Sequence, residues 1–156
     1  MPAPSATVET VETDTAARLR ATIGRLSRRL RPTAAGTAAG LTPTRVTVLL
    51  DVVRRERARL ADVANAEGIN PTMLSRVIAD LVETGLVERA SDEQDRRTVW
   101  VKPTPAGRRL AERMRRERTD AVNLALEALT ETERAMVQRA LPALEALAEH
   151  LGSKRR

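Results

Sequence analysis

The chain has no cysteine, a single histidine, a single tryptophan, and neither tyrosine nor phenylalanine. Without thiols there is no disulfide, no thiolate nucleophile and no redox sensing by cysteine. The lone histidine, His150, stands near the C-terminus. It leaves no cluster with zinc-ligand spacing and no Ser-His or Cys-His arrangement, so neither an enzyme nor a cofactor or metal site is indicated. His150 itself is expected on a solvated helix face. With Trp100 as the sole aromatic, the core and any ligand cavity must be aliphatic. No run approaches ~18 apolar residues, and the opening M-P-A-P-S-A-T-V-E-T lacks the basic-then-apolar order of a signal peptide. A cytoplasmic protein with no membrane partner is expected.

Lysine is scarce as well: Lys102 and Lys154 are the only two, so the formal charge of +6 rests almost wholly on arginine. A pI near 11.2 favours a polyanionic partner. Arginine suits phosphates and guanine edges, because its planar fork donates bidentately. Codon usage in a GC-rich genome would give the same bias. The 156 residues allow one domain, or one small domain flanked by helices from the two ends.

The most informative stretch runs from Asn70 to Thr104. Asn70 can cap a helix, and Pro71 fits the first helical position, where no N–H is needed. Leu74, Val77, Ile78, Leu81 and Val82 then recur at the spacing of one apolar face. Gly85 stops the helix, with Leu86 supplying the hydrophobic contact of the cap. The opposite face, including Pro71, Thr72, Met73, Ser75, Arg76 and Ala79, is mostly small or hydrogen-bonding, which lets a helix sink into a groove; an ordinary solvated face would read similarly. Ala58 to Ala66, with Leu60, Val63 and Ala64 on one side, is too short to stand alone. With the E-G-I turn it gives helix-turn-helix spacing before Asn70. After Gly85, L-V-E-R-A-S, then D-E-Q-D-R-R, then T-V-W-V-K-P-T reads as strand, loop and strand, because Val99 and Val101 alternate with Thr98, Trp100 and Lys102. The loop carries Asp95, Arg96 and Arg97, and an arginine at such a tip can enter a minor groove.

Helix-turn-helix, G-L-V-E-R, a D-x-x-D-R-R wing, a V-x-V strand and a P-T-P-A-G helix start, in this order, resemble the MarR family of winged-helix transcription regulators over about Asp14 to Leu151. The resemblance implies a homodimer on double-stranded DNA, with Asn70 to Thr84 as recognition helix and Arg76 as a DNA-contacting arginine. It also implies that Asp95 steadies Arg97 in the minor groove. Members of the family are commonly released from DNA by a small anionic or lipophilic effector, whose identity here is open. One departure is local: Ala58 and Arg59 precede the helix near Leu60, in place of the usual Ser or Thr cap.

The remaining chain is read in order. Residues 1–13 lack helical periodicity and are expected to be a flexible arm. Residues 14–40 form the first helix and loop of a dimerisation region: Leu19, Ile23, Leu26 and Leu30 make a stripe flanked by arginines, and R-P-T-A-A-G-T-A-A-G is a loop by its proline and glycines. Residues 41–104 are the DNA-binding domain, opened by Thr42 as cap and Pro43, with Val46, Leu49, Leu50 and Val53 facing the core. Residues 105–156 are C-terminal dimerisation helices. The first runs from Pro105 to about Leu129, with Leu110, Met114, Ala121, Leu124 and Ala125 apolar. The second starts at the Thr130 and Glu133 capping box and should kink at Pro142. Val137, Leu141, Leu144, Leu147 and Leu151 line it. These apolar residues exceed what a compact winged helix could cover, so a second copy is the economical partner.

The expected fold is mainly α with a small β-hairpin wing: a winged helix-turn-helix plus a helical dimerisation region. The expected function is sequence-specific DNA binding on a pseudo-palindromic operator, with repression by promoter occlusion. The competing expectation is a winged-helix nucleoid or assembly protein that uses charge without reading bases.

Overall fold

The computed structural model describes residues 6–91 and 99–153. The chain divides into two compact units, Met1–Arg118 and Thr119–Arg156. The first holds α1 (Ala6–Leu30), α2 (Ala34–Ala38), α3 (Pro43–Arg55), β1 (Ala58–Arg59), α4 (Leu60–Glu67), α5 (Pro71–Glu83), β2 (Val87–Ser91), β3 (Val99–Pro103) and α6 (Pro105–Glu127) as far as Arg118. This is a mainly α architecture around a three-stranded antiparallel sheet, in the order β1-β3-β2.

Three expectations are corrected. The first helix starts at Ala6, inside the segment expected to be an arm. No proline or glycine interrupts residues 6–13, and once nucleated a helix propagates at one hydrogen bond per residue. An apolar stripe decides whether a helix packs, not whether it can form. The loop expected over residues 31–40 contains α2. Thr33 accepts from the Gly36 N–H at 3.1 Å, and the Glu117 carboxylate of α6 accepts from the Ala35 N–H at 3.0 and 3.2 Å. Donors that a short helix leaves orphaned are thus satisfied. Finally, Ala58 and Arg59 are a strand, with Ala58 paired to Val101 and Arg59 to Trp100. Two residues are too few to display alternation.

Elsewhere the local signals act as expected. Thr42 accepts from the Arg45 N–H at 3.4 Å, with Pro43 in the first turn of α3. The core is aliphatic: Val48, Leu49 and Val52 of α3, Val63 of α4, Leu74, Ile78 and Leu81 of α5, Val87, Val101, and Met114 of α6 are all enclosed. Val82 is the exception on the α5 stripe, left 36% exposed. Thr104 joins the sheet to α6, accepting from the Gly107 N–H at 3.1 Å while its hydroxyl donates to the Gly85 carbonyl at 2.7 Å. At Gly107 the helix passes so close to the backbone just before β2 that a Cβ would overlap the Leu86 carbonyl.

The second unit contains the rest of α6 and α7 (Glu131–Ser153), a continuous helix through Pro142. Its start is a capping box: the Thr130 N–H and hydroxyl donate to the Glu133 carboxylate at 2.9 and 2.7 Å, and the Glu133 N–H returns to Thr130 at 3.3 Å. These bonds hold the Glu133 carboxyl below its ordinary pKa, the hydroxyl bond contributing most. Arg134 donates through Nε to the Leu126 carbonyl at 3.1 Å and through Nη2 towards Leu129 at 3.4 Å, so one side chain satisfies carbonyls at the α6 end. His150 is exposed, its Nδ1 at 2.7 Å from the Ala146 carbonyl.

Candidate nucleic-acid interface

The geometry of α5 divides its residues cleanly. Leu74, Val77, Ile78 and Leu81 are buried, and Pro71, Thr72, Met73, Ser75, Arg76 and Ala79 are exposed. The start of the helix is set by Asn70, whose side chain accepts from the Thr72 N–H at 2.8 Å. Its end is set by Gly85 at φ 70°, where the N–H groups of Gly85 and Leu86 return to the carbonyls of Val82 and Leu81, at 2.9 Å each. A residue with a side chain would resist that left-handed turn. In front of α5, α4 ends at Gly68, completing a helix-turn-helix.

Rotation of α5 is constrained by charge as well as by packing. Arg45 of α3 donates through Nε to Asp80 at 3.1 Å, and its Nη2 makes a second bond to the same carboxylate. Asp80 lies one turn beyond Arg76, which forms no ion pair among the described residues.

The hairpin of β2 and β3 pairs from Val87 with Pro103 to Ser91 with Val99. The expected tip residues Asp95, Arg96 and Arg97 lie outside the described residues.

The helix-turn-helix of α4 and α5 is followed by the β2–β3 hairpin, which β1 extends into the three-stranded sheet. Residues 41–107 match the family model described as a winged helix DNA-binding domain. A protein of Pseudomonas aeruginosa assigned to transcriptional regulation is 29% identical, covering 88% of this chain and 96% of its own, with a TM-score of 0.71. A MarR family protein from Bacillus stearothermophilus is 20% identical over 90% of this chain and 97% of its own, with a TM-score of 0.74. Residues 41–107 thus form a winged helix DNA-binding domain, in a chain that shares the fold of that MarR family protein. The HTH-type transcriptional regulator YwhA of Bacillus subtilis is 28% identical over 87 residues, 56% of this chain; the match spans 63% of that relative's length.

Within the first unit is a cavity of about 580 Å³ lined by Leu30, Leu50, Asp51, Glu67 and the arginines Arg31, Arg54, Arg115 and Arg118. Asp51 is buried and bonded to Arg54 and, at 2.8 Å, to Nε of Arg55. Burial, and then the Asp51 charge, raise the Glu67 carboxyl above its ordinary pKa against the pull of Arg54 and Arg55. Nε of Arg118 is buried with no hydrogen-bond partner among the described residues. No group of His, Cys, Asp or Glu among them could hold a metal ion, and no helix among them is long and apolar enough to cross a membrane.

The residues expected at a dimer interface fall in both units. Leu19 is half-buried and Ile23 exposed in the first; Val137, Leu141, Leu144 and Leu151 of α7 are exposed in the second.

Sequence reasoning missed Arg45, Asp80, the buried Asp51 and the surroundings of Trp100. Asp51 alone had a local signal, since Arg54 and Arg55 follow it at helical spacing. Among the described residues, two guanidiniums lie over Trp100: Cζ of Arg57 is 4.2 Å and Cζ of Arg59 4.9 Å from the ring centroid. Nothing in the sequence joins residues so far apart.

Proposed function

We propose that the protein is a cytoplasmic transcription regulator that binds a pseudo-palindromic operator as a homodimer and represses by occluding the promoter. The observation that carries this reading is the outer face of α5. Pro71, Thr72, Met73, Ser75 and Arg76 are all exposed on a helix whose other side is locked into the core. A helix small and polar on its outer side, following a helix-turn, suits the major groove. In the resemblance on which the wing reading rests, Asp95 and Arg97 add a minor-groove contact, with Arg96 beside them. FabT of Streptococcus pneumoniae, a solved structure of this fold, was determined in complex with DNA.

The dimer is supported by exposed apolar side chains that water would not favour. Ile23 and Leu26 on α1, and Met136, Val137, Leu141, Leu144 and Leu151 on α7, are each at least 40% exposed in the single chain. A two-fold dimer presents its reading helices about one DNA turn apart, ~34 Å. A small anionic effector is the ligand expected for this cavity, whose arginines outnumber its two carboxylates and where the buried Arg118 Nε lacks an acceptor among the described residues. NadR, another protein of this fold, was solved with 4-hydroxyphenylacetate.

The test is selection of bound duplexes from a random pool, followed by sedimentation with and without the winning site. A two-fold symmetric consensus bound by two copies supports the reading. Recovery of no preferred sequence would hand the protein to the charge-only nucleoid alternative. Removing residues from Ala128 onward should leave a monomer with weak operator affinity; a truncated chain that still sediments as a dimer would place the interface elsewhere.

A further inference from the structure

Among the described residues, two cations lie over the sole aromatic residue of the chain. β1 pairs antiparallel with β3, Arg59 opposite Trp100, and the guanidiniums of Arg57 and Arg59 lie 4.2 and 4.9 Å from the indole centroid. Both arginines are exposed, and neither pairs with a carboxylate among the described residues. Their neighbours differ: Arg54 and Arg55 are bound to Asp51, Arg108 to Glu56, and Lys102 to Glu88 at 3.0 Å. The indole is uncharged, so it leaves the charge of a guanidinium held over it unneutralised, and the N–H groups not directed at the ring can serve an anion.

The backbone around the pair is fixed too. Glu56, just before Arg57, adopts φ 63° although it is not glycine, and the Arg57 N–H closes a tight turn onto the Arg55 carbonyl at 2.6 Å. The Glu56 side chain is tied to Arg108. A non-glycine residue held at positive φ persists only where its surroundings impose it. At the other end, Arg59 occupies the cap position of α4, the first helix of the helix-turn-helix, and supplies no capping hydrogen bond there. The two cations therefore stand where α4 begins and beside the strand that leads out of the hairpin.

We propose that Arg57 and Arg59, seated on Trp100, form a second DNA contact, a preorganised clamp on backbone phosphates additional to the reading face of α5. It rests on the DNA-binding reading above. Side chains already held in place lose little freedom on binding, so each phosphate contact is worth more than one from a free arginine. Phosphate contacts position a protein without reading sequence. The clamp strengthens binding to any duplex and leaves discrimination to α5.

The experiment compares the wild-type chain with Arg57→Gln/Arg59→Gln, which keeps much of the side-chain stem and removes both charges, and with Trp100→Leu, which keeps the charges and removes the platform. Binding is measured against salt on the selected operator and on a mixed-sequence duplex, with thermal melts to confirm folding. The double variant should lower the salt slope by about two units per bound protomer, about four for the dimer, and weaken both duplexes equally, leaving the ratio between them unchanged. Trp100→Leu should weaken binding several-fold with the wild-type slope. Should that variant fail to fold, the single Arg→Gln variants decide, each losing about one unit per bound protomer. A folded double variant with wild-type slope and affinity overturns the clamp and leaves the function of α5 standing. If the wild-type chain bound neither duplex, the DNA-binding reading would fall and the clamp with it.

Discussion

Arg45 of α3 donates through Nε to the Asp80 carboxylate of α5 at 3.1 Å, so the reading helix is fixed to its neighbour by a directed ion pair as well as by apolar packing. Both side chains are about one-third exposed, at 31% and 39%. Solvent therefore screens the pair, and its contribution to stability is at most about 1 kcal/mol. Its contribution to orientation is separable from that. Asp80→Ala should shift the melting temperature by a few degrees at most, yet weaken operator binding more than binding to a mixed duplex, because α5 gains freedom to roll. Equal losses on both duplexes would confine the pair to stability.

Arg76→Ala tests the reading face directly. Loss of one base-edge contact should cost about 1–3 kcal/mol per half-site and relax preference at one base position of each. A folded variant with unchanged affinity and unchanged selectivity would remove Arg76 from the interface.

Gly107 carries a steric prediction with an internal control. A Cβ there would meet the Leu86 carbonyl, a backbone atom that cannot rotate aside, whereas one at Gly24 would meet only the end of Arg28 at 3.4 Å. Gly107→Ala should destabilise by about 1–3 kcal/mol. Gly24→Ala, inside α1, should be neutral or stabilising by up to about 1 kcal/mol. Chemical denaturation of both variants decides it, and similar midpoints would show that α6 can back away from β2.

Glu67 gives a pH dependence whose sign follows from its raised pKa, caused first by burial and then by the Asp51 charge. The folded state holds that proton more tightly than the unfolded chain does. The stability from the protonated group is complete below the unfolded pKa and is lost as pH rises through the folded value. Glu67→Gln should therefore melt higher than wild type at neutral pH, with the difference closing on acidification through the carboxylate range. A difference independent of pH would assign the effect to something other than the charge.

The sequence was most legible where chemistry is local. Asn70, Pro71 and Gly85 bound α5, and Thr130 with Glu133 opens α7, because caps and turns act within a few residues of themselves. The aliphatic core followed from composition, and the order of helix-turn-helix and hairpin was readable from changing periodicity. The two-residue β1 was not, being shorter than the alternation that would reveal it. Nor was α2, whose Thr33 cap depends on company from Glu117, far along the chain. Arg45 with Asp80, and Arg57 and Arg59 with Trp100, are products of folding: each partner looks like an unremarked surface residue until the chain closes. Exposure in a single chain is equally silent about which of Leu19, Ile23, Val137, Leu141, Leu144 and Leu151 meet a second copy.

Trp100 has one more consequence. Because the chain has no tyrosine and no other tryptophan, its near-ultraviolet emission comes from a single indole on β3, under Arg57 and Arg59. The protein therefore carries its own optical probe towards the loop end of the paired hairpin strands, and its fluorescence needs no label to be assigned to one place in the fold.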